Sequence, residues 1–356
     1  MSLPKGLAGI VPKAGSIFQT SKPESPLHRF ERVLGKPMMR ALPAQSLHPD
    51  QMKAPMLTTS AEFVDLIKAL KQERGRVTIE AGEPVLILVH GIFDRVFGAA
   101  FSPLLVWGDL LGRLQAKYAA RVYGFDHETL SVDPIQNARD LAAQLPPNTE
   151  IDILCHSRGG LVTRALLQLP EFAAARERLK LRNVIFMGAA NLGSPLAEPG
   201  KTDKLLEMFS HLFQARTPAE GPAAHLKLIV EAARVLGRRF ADLPGVVELR
   251  PRSKLIRSME KATIDPEVRC SFICAKFSDA ADFRLQLAEQ ISDSVFGSDP
   301  NDLVVPFEGM TALGAAPAQG TPLILDELGP QGDFYHVNYL DSPQVRQHIA
   351  NFLGVH

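Results

Sequence analysis

Short unbroken apolar runs alternate along the chain with longer stretches whose apolar residues recur every three or four positions. The runs Val85-Leu86-Ile87-Leu88-Val89, Arg121 to Asp126, Ile151 to Cys155, Asn183 to Gly188 and Val268 to Ala275 read as strands, and the purely apolar ones as strands buried on both faces. Between them, Leu104 to Tyr118 puts Trp107, Leu111, Leu114 and Tyr118 on one side of a predicted helix. Asp133-Pro134, a cap residue with proline at the first helical position, starts another helix, through Ile135, Ala138, Leu141 and Leu145. Leu161, Ala165 and Leu169, with Val162 and Leu166, mark a third. Ser342-Pro343 opens a last helix with Val345, Ile349, Phe352 and Leu353 inward. Strands alternating with helices predict an α/β class, a mostly parallel doubly wound sheet with helices on both faces.

Two regions depart from this alternation. Residues 1 to about 55 are proline-rich and lack sustained periodicity, which predicts an irregular arm wrapped on the domain or partly disordered. A helix over Ser60 to Gln72 completes a segment 1–75, and a strand over Arg76 to Glu80 opens the main domain, 76–356. From about 196 to 261 two helical segments follow one another, Asp203 to Gln214 and Ala223 to Phe240. The first carries a wide apolar surface of Leu205, Leu206, Phe209, Leu212 and Phe213. Such an insertion is either a cap over a site or a peripheral helical pair packed on the sheet.

Composition narrows the function classes. The 356 residues suffice for one large α/β domain with insertions or two small ones, and 46% apolar content builds a full core without disulfides. Thirty-nine basic residues balance thirty-nine acidic ones, so no global field points to nucleic acid or to an anionic membrane. Cys155, Cys270 and Cys274 lack metal-ligand spacing, and no metal or cofactor is expected. Two of them fall in predicted buried strands, which fits a reducing, cytoplasmic compartment. MSLPKGLAGIVPKAGSIF has neither an adequate apolar core nor a cleavage site, so no signal peptide is expected. The longest apolar run, Pro84 to Val89, is too short to cross a bilayer.

The chemistry concentrates at His156-Ser157-Arg158-Gly159-Gly160, where a buried strand passes directly into a helix. The chain must reverse sharply there, so the residue at the bend projects its side chain outward and its neighbours must be small. This matches G-x-S-x-G with Cys155 in place of the first glycine. At this point the sequence resembles the lipase-like α/β-hydrolases, with Ser157 at the nucleophile position. Further segments carry the same resemblance: His90-Gly91 after a strand, Gly188 to Pro195 with Ala190 replacing a proline, Leu249 to Ser253 as a helix entry, and Asn301 to Pro306 as an N-D-x-V-V-P loop. The stretch RVYGFDHETLSVDPIQNARDLAAQLPPNTEIDILCHSRGGLV is also similar to bacterial lipase-like domains found beside caspase-like CHAT domains.

The resemblance implies an α/β-hydrolase fold over about residues 76–356 and a triad in the order Ser157, Asp302, His336. Asp299 and Asp326 are rivals for the acid, and His336 lies in the loop before the last helix. It implies an oxyanion hole from the backbone N–H of Ile92, with Phe93 the neighbouring alternative, and of Arg158; each donor contributes roughly 3 kcal/mol in such sites. Phe93, His156 and Leu192 are the candidates to line the substrate. His90 reads as a histidine holding the turn by a hydrogen bond, while Asp126 and His127 are left outside the catalytic set. His211, His225 and His348 lie on predicted helices as packing or solvent residues. The implied activity is cleavage of carboxylic esters, acyl lipids foremost, with transient membrane contact through the cap. Acyl transfer or thioester cleavage by the same triad, and a non-catalytic binding module, are the alternatives; the oligomeric state is left open.

Overall fold

The computed structural model describes residues 37–42, 77–95, 107–216, 237–277, 282–315, 322–325 and 334–355. Seven strands form one sheet: β1 (Met38–Ala41), β2 (Val85–Val89), β3 (Val122–Asp126), β4 (Glu150–His156), β5 (Lys180–Met187), β6 (Arg269–Ala275) and β7 (Leu323–Leu325). Their order is β1-β3-β2-β4-β5-β6-β7, with β1 antiparallel to β3 and every other pair parallel. The sheet is therefore mostly parallel, as the alternation predicts.

Both faces are covered, which is why β2 has no polar residue. Val85, Ile87 and Val89 pack into one core cluster and Leu86 and Leu88 into the other. Among the described residues the longer helices are α1 (Leu110–Lys117), α2 (Pro134–Gln144), α3 (Gly159–Gln168), α4 (Ala173–Arg178), α5 (Thr202–Arg216), α6 (Lys254–Met259), α7 (Phe283–Phe296) and α8 (Pro343–Leu353), with single-turn helices at Pro244–Val247 and Phe307–Met310. Residues of α1 and α8 join the cluster of Leu86 and Leu88, together with Trp107 and Tyr118; residues of α2, α3 and α5 join the other. Helix starts follow their caps: the carboxylate of Asp133 accepts from the Gln136 N–H at 2.9 Å, and the Ser253 hydroxyl from that of Ile256 at 3.3 Å.

The topology makes a crevice. From β2 the chain crosses to β3 on one side, and from β4 it crosses to β5 on the other, while β2 and β4 are neighbours. The loops leaving the carboxyl ends of these two strands diverge, and that is where open α/β sheets hold ligands. His90-Gly91 and Ser157 stand at those two ends.

Several expectations change. Met38–Ala41 is a sheet strand rather than irregular arm, and Val77–Glu80 is not a strand. The pleat of β1 is satisfied by β3, leaving Val77 a single bond to Met39 O at 3.1 Å. Helix α1 starts at Leu110 because Gly108, at φ 53°, turns the backbone out of helical conformation. Phe352, expected inward on α8, packs against the core cluster but is only half-buried, with the Arg269 guanidinium 4.8 Å from its ring centre. The helix expected over Ser60 to Gln72 lies outside the described residues, as does most of that over Ala223 to Phe240, whose end is a 3-10 helix, Gly237–Asp242. Among the described residues no helix is long and apolar enough to cross a membrane.

Candidate active site

Ser157 sits between β4 and α3 at φ 55°, the left-handed region that costs a side-chain-bearing residue roughly 1–2 kcal/mol. The bend is held by Ser157 N–H to Met187 O at 3.2 Å and Ala190 N–H to Ser157 O at 3.1 Å. Two glycines are required by close approach rather than by dihedral. A Cβ on Gly159 would lie 2.3 Å from Val89 O, and one on Gly91 would lie 2.6 Å from the Ser157 Cβ. Cys155 fits where a glycine is usual because its thiol turns into the core and donates to Ile185 O at 3.4 Å. Burial pushes that thiol far above its ordinary pKa, so it is no rival nucleophile.

The structure brings Ser157, His336 and Asp302 together. His336 Nε2 is 2.8 Å from Ser157 Oγ, and its Nδ1 is 2.7 Å from Asp302 Oδ2. A carboxylate only accepts, so Nδ1 carries the proton and Nε2 is left to accept from the serine hydroxyl. The imidazole and carboxylate are fully buried and the serine is 2% exposed. Asp302 lies in a tight loop whose next residue, Leu303, is at φ 78°. The fold of that loop aims the Val304 and Val305 N–H groups at Asp302 Oδ1, at 3.1 and 2.7 Å. Asp299 has no such placement: its carbonyl, at 2.9 Å, caps the Asn301 amide. Asp326 and His225 lie outside the described residues.

Tyr339, which no sequence motif marked, donates its hydroxyl to Asp302 Oδ2 at 2.7 Å. With it the carboxylate accepts four hydrogen bonds, about the full capacity of the group. Burial, then the neighbouring Asp302 charge, pushes the phenol well above its ordinary range, so it stays a donor. Its three-residue spacing from His336 carries no signal by itself. Tyr339 begins a 3-10 turn that folds back beneath the histidine loop. Ser194 is a second unforeseen tie, its hydroxyl donating to Val304 O at 2.6 Å and so joining the Gly193-Ser194-Pro195 segment to the acid loop.

His156, a candidate substrate contact, points inward: its Nε2 donates to the His336 carbonyl at 2.7 Å. The His336 N–H donates to Asp302 O at 3.0 Å, so the histidine loop is pinned from both sides. Phe93, at φ 57°, is buried with its ring centre 5.0 Å from Phe209 and 5.9 Å from Phe240. Its N–H donates to Thr129 Oγ1 at 3.3 Å, whereas the Ile92 N–H has no hydrogen-bond partner among the described residues. Of the two turn residues, Ile92 is the one with a donor to offer. Arg158 is fully buried, its guanidinium donating to Val132 O at 2.6 Å and Gly245 O at 3.4 Å. Leu192 is 41% exposed beside the turn Phe307–Met310.

His90 braces the turn as expected. Its Nδ1 donates to Gly91 O at 3.0 Å and its Nε2 accepts from the His127 N–H at 3.1 Å, with the two rings stacked at 4.0 Å. Burial lowers the His90 pKa to about 4 and holds His127 well below its ordinary value, so both imidazoles are neutral. Asp126 is paired with Arg40, outside the triad. His211 approaches Glu207 on α5, and His348 meets Ser271 Oγ at 2.7 Å on α8. Among the described residues no group of three or more His, Cys, Asp and Glu is arranged to hold a metal ion.

Sheet order, elbow and crevice together define a protein of α/β-hydrolase fold. The chain belongs to the family described as a domain of unknown function, DUF7379, whose model matches residues 56–354. Among solved structures it is similar to EstA from Clostridium botulinum, at 13% identity over 96% of this chain and 98% of that one, with a TM-score of 0.49. It is similar to lipase 1 from Pelosinus fermentans, at 12% identity over 76% and 98%, with a TM-score of 0.48. A metagenomic carboxyl esterase is 19% identical over 80% and 79%, with a TM-score of 0.41. No curated protein matches the chain.

Proposed function

We propose that this protein is a serine hydrolase of carboxylic esters, with Ser157 as nucleophile, His336 as general base and acid, and Asp302 orienting the imidazole. The observation that carries the reading is the continuous contact from Asp302 Oδ2 through the imidazole to Ser157 Oγ, 2.7 and 2.8 Å. In the reaction, Ser157 Oγ bonds to the ester carbonyl carbon as its proton passes to His336 Nε2. The oxygen of the tetrahedral intermediate takes hydrogen bonds from the Ile92 and Arg158 N–H groups. When the intermediate collapses, the ester C–O bond breaks and the imidazolium returns its proton to the leaving alcohol. Water then adds to the acyl-serine by the same route and releases the acid.

The surroundings favour an acyl ester with a hydrocarbon chain, because Phe209 meets the His336 imidazole and Phe93 and Phe240 extend the aromatic surface from it. In this reading α5 belongs to a cap formed by the insertion. Hydrolysis of nitrophenyl esters by the wild type and by Ser157→Ala is the test. Turnover lost in the variant with an unchanged melting curve supports the reading; equal turnover in both removes it. Adding alcohol and thioester substrates to the same assay separates hydrolysis from acyl transfer.

A further inference from the structure

We propose that Phe209 limits the length of the acyl chain this site accepts, an inference that rests on the ester-hydrolase reading. Helix α5 reaches the catalytic groups with one side chain that spans two of them. The Phe209 ring meets the His336 imidazole edge-on, at 6.0 Å and 83° between planes. It also meets the Phe93 ring at 5.0 Å and 63°, and Phe93 directly follows Ile92, whose N–H has no hydrogen-bond partner among the described residues. One ring therefore touches both the imidazole that faces Ser157 Oγ at 2.8 Å and the residue that follows Ile92.

The aromatic neighbours of Phe209 decide which part of an ester belongs here. Beyond the imidazole they are Phe93 and Phe213, and Phe240 stacks on Phe93. None offers a hydrogen bond to a sugar or phosphate headgroup, whereas a hydrocarbon chain loses nothing on entering such surroundings. With Phe209 2% exposed and the serine also 2% exposed, a long chain and the ring compete for one volume. The backbone of α5 does not yield easily on its outer side. Lys204 Nζ meets Ser294 Oγ at 2.9 Å, and the Arg284 guanidinium donates to Gln214 O at 3.1 Å, tying α5 to α7. Selection by length thus falls on the side chain of Phe209.

The test compares kcat/KM for nitrophenyl acetate and nitrophenyl octanoate. Phe209→Ala is expected to raise the octanoate-to-acetate ratio on the order of tenfold, the scale on which apolar pockets discriminate hydrocarbon length. Phe209→Trp, which keeps the helix face apolar, is expected to lower it. Lys204→Ala serves as the control, because it removes the outer tie of the same helix to Ser294 without touching the aromatic cluster, and it is expected to keep the wild-type ratio. An unchanged ratio in folded Phe209→Ala and Phe209→Trp overturns the proposal, as does an equal shift in Lys204→Ala. A wild-type protein that neither cleaves any ester nor takes a fluorophosphonate label removes the hydrolase reading itself, and the proposal with it.

Discussion

The two ends of the sheet each bury an aspartate beneath a tyrosine hydroxyl. At the amino end Asp152 accepts from Tyr118 OH and from the backbone and side-chain nitrogens of Asn183, at 3.0 and 2.7 Å. At the carboxyl end Asp302 accepts from Tyr339 OH and from two backbone N–H groups. Both phenols are pushed above their ordinary range by burial and by the carboxylate. The difference is one further partner. Asp302 also holds an imidazole whose far nitrogen touches a serine on a strained bend, while Asp152 holds a structural amide. In the proposed reading the same buried pair fastens strands in one place and orients a base in the other. Chemistry comes from what the carboxylate is connected to, not from its burial.

The comparison breaks most visibly by removing one charge from each end. Asp302→Asn is expected to lower kcat about ten-thousand-fold, since the amide cannot hold the tautomer that leaves Nε2 free. Asp152→Asn is expected to leave kcat within about twofold and to cost about 1–3 kcal/mol of stability in urea unfolding. Equal losses of kcat would mean the two ends are not functionally distinct.

Acid strikes the carboxyl end through His90. Its folded pKa, about 4, lies below the ordinary histidine value of 6.5, so the unfolded chain binds the proton more readily. The stability it contributes is complete above pH 6.5 and declines toward pH 4, by about 3 kcal/mol at the lower value. His90→Asn should flatten that part of the stability curve, as urea midpoints at neutral and acid pH will show. An unchanged slope would place the acid sensitivity elsewhere.

The tyrosines give a finer contrast. Tyr339→Phe withdraws one of four hydrogen bonds from the orienting carboxylate and is expected to lower kcat/KM about tenfold. Tyr118→Phe should lower the melting temperature with kcat/KM unchanged. Smallest is Leu192→Ala at the exposed rim, where a few-fold rise in KM with kcat and melting intact is expected.

What the sequence made legible was local. The passage from Cys155 through Ser157 to Leu161 announces its bend because a strand pattern meets a helix pattern across small residues. Asp302 and His336 are legible only through their resemblance to known loops, and nothing in their spacing says that they meet. Tyr339 was not legible, because a tyrosine three residues past a histidine gains meaning only when a 3-10 turn folds it under Asp302. His156 is a substrate-lining candidate by its place beside Ser157, and nothing in that place shows that its Nε2 holds the His336 carbonyl, a contact between residues 180 positions apart. Strand β1 is not legible in the sequence because four residues, Met38–Ala41, lack room for a period and take their pairing from β3. Phe209 belongs to an apolar helix face in the sequence, but which residue of that face reaches the imidazole depends on the tertiary placement of α5.

The central claim is that the Ser157 hydroxyl is activated by its contact with His336. Incubating folded protein with a fluorophosphonate and mapping the adduct by peptide mass spectrometry tests it most directly. The account predicts one stoichiometric adduct on Ser157, formed slowly or not at all in His336→Ala. Labelling at an equal rate in that variant, or a wild-type protein left unlabelled at Ser157, would contradict it.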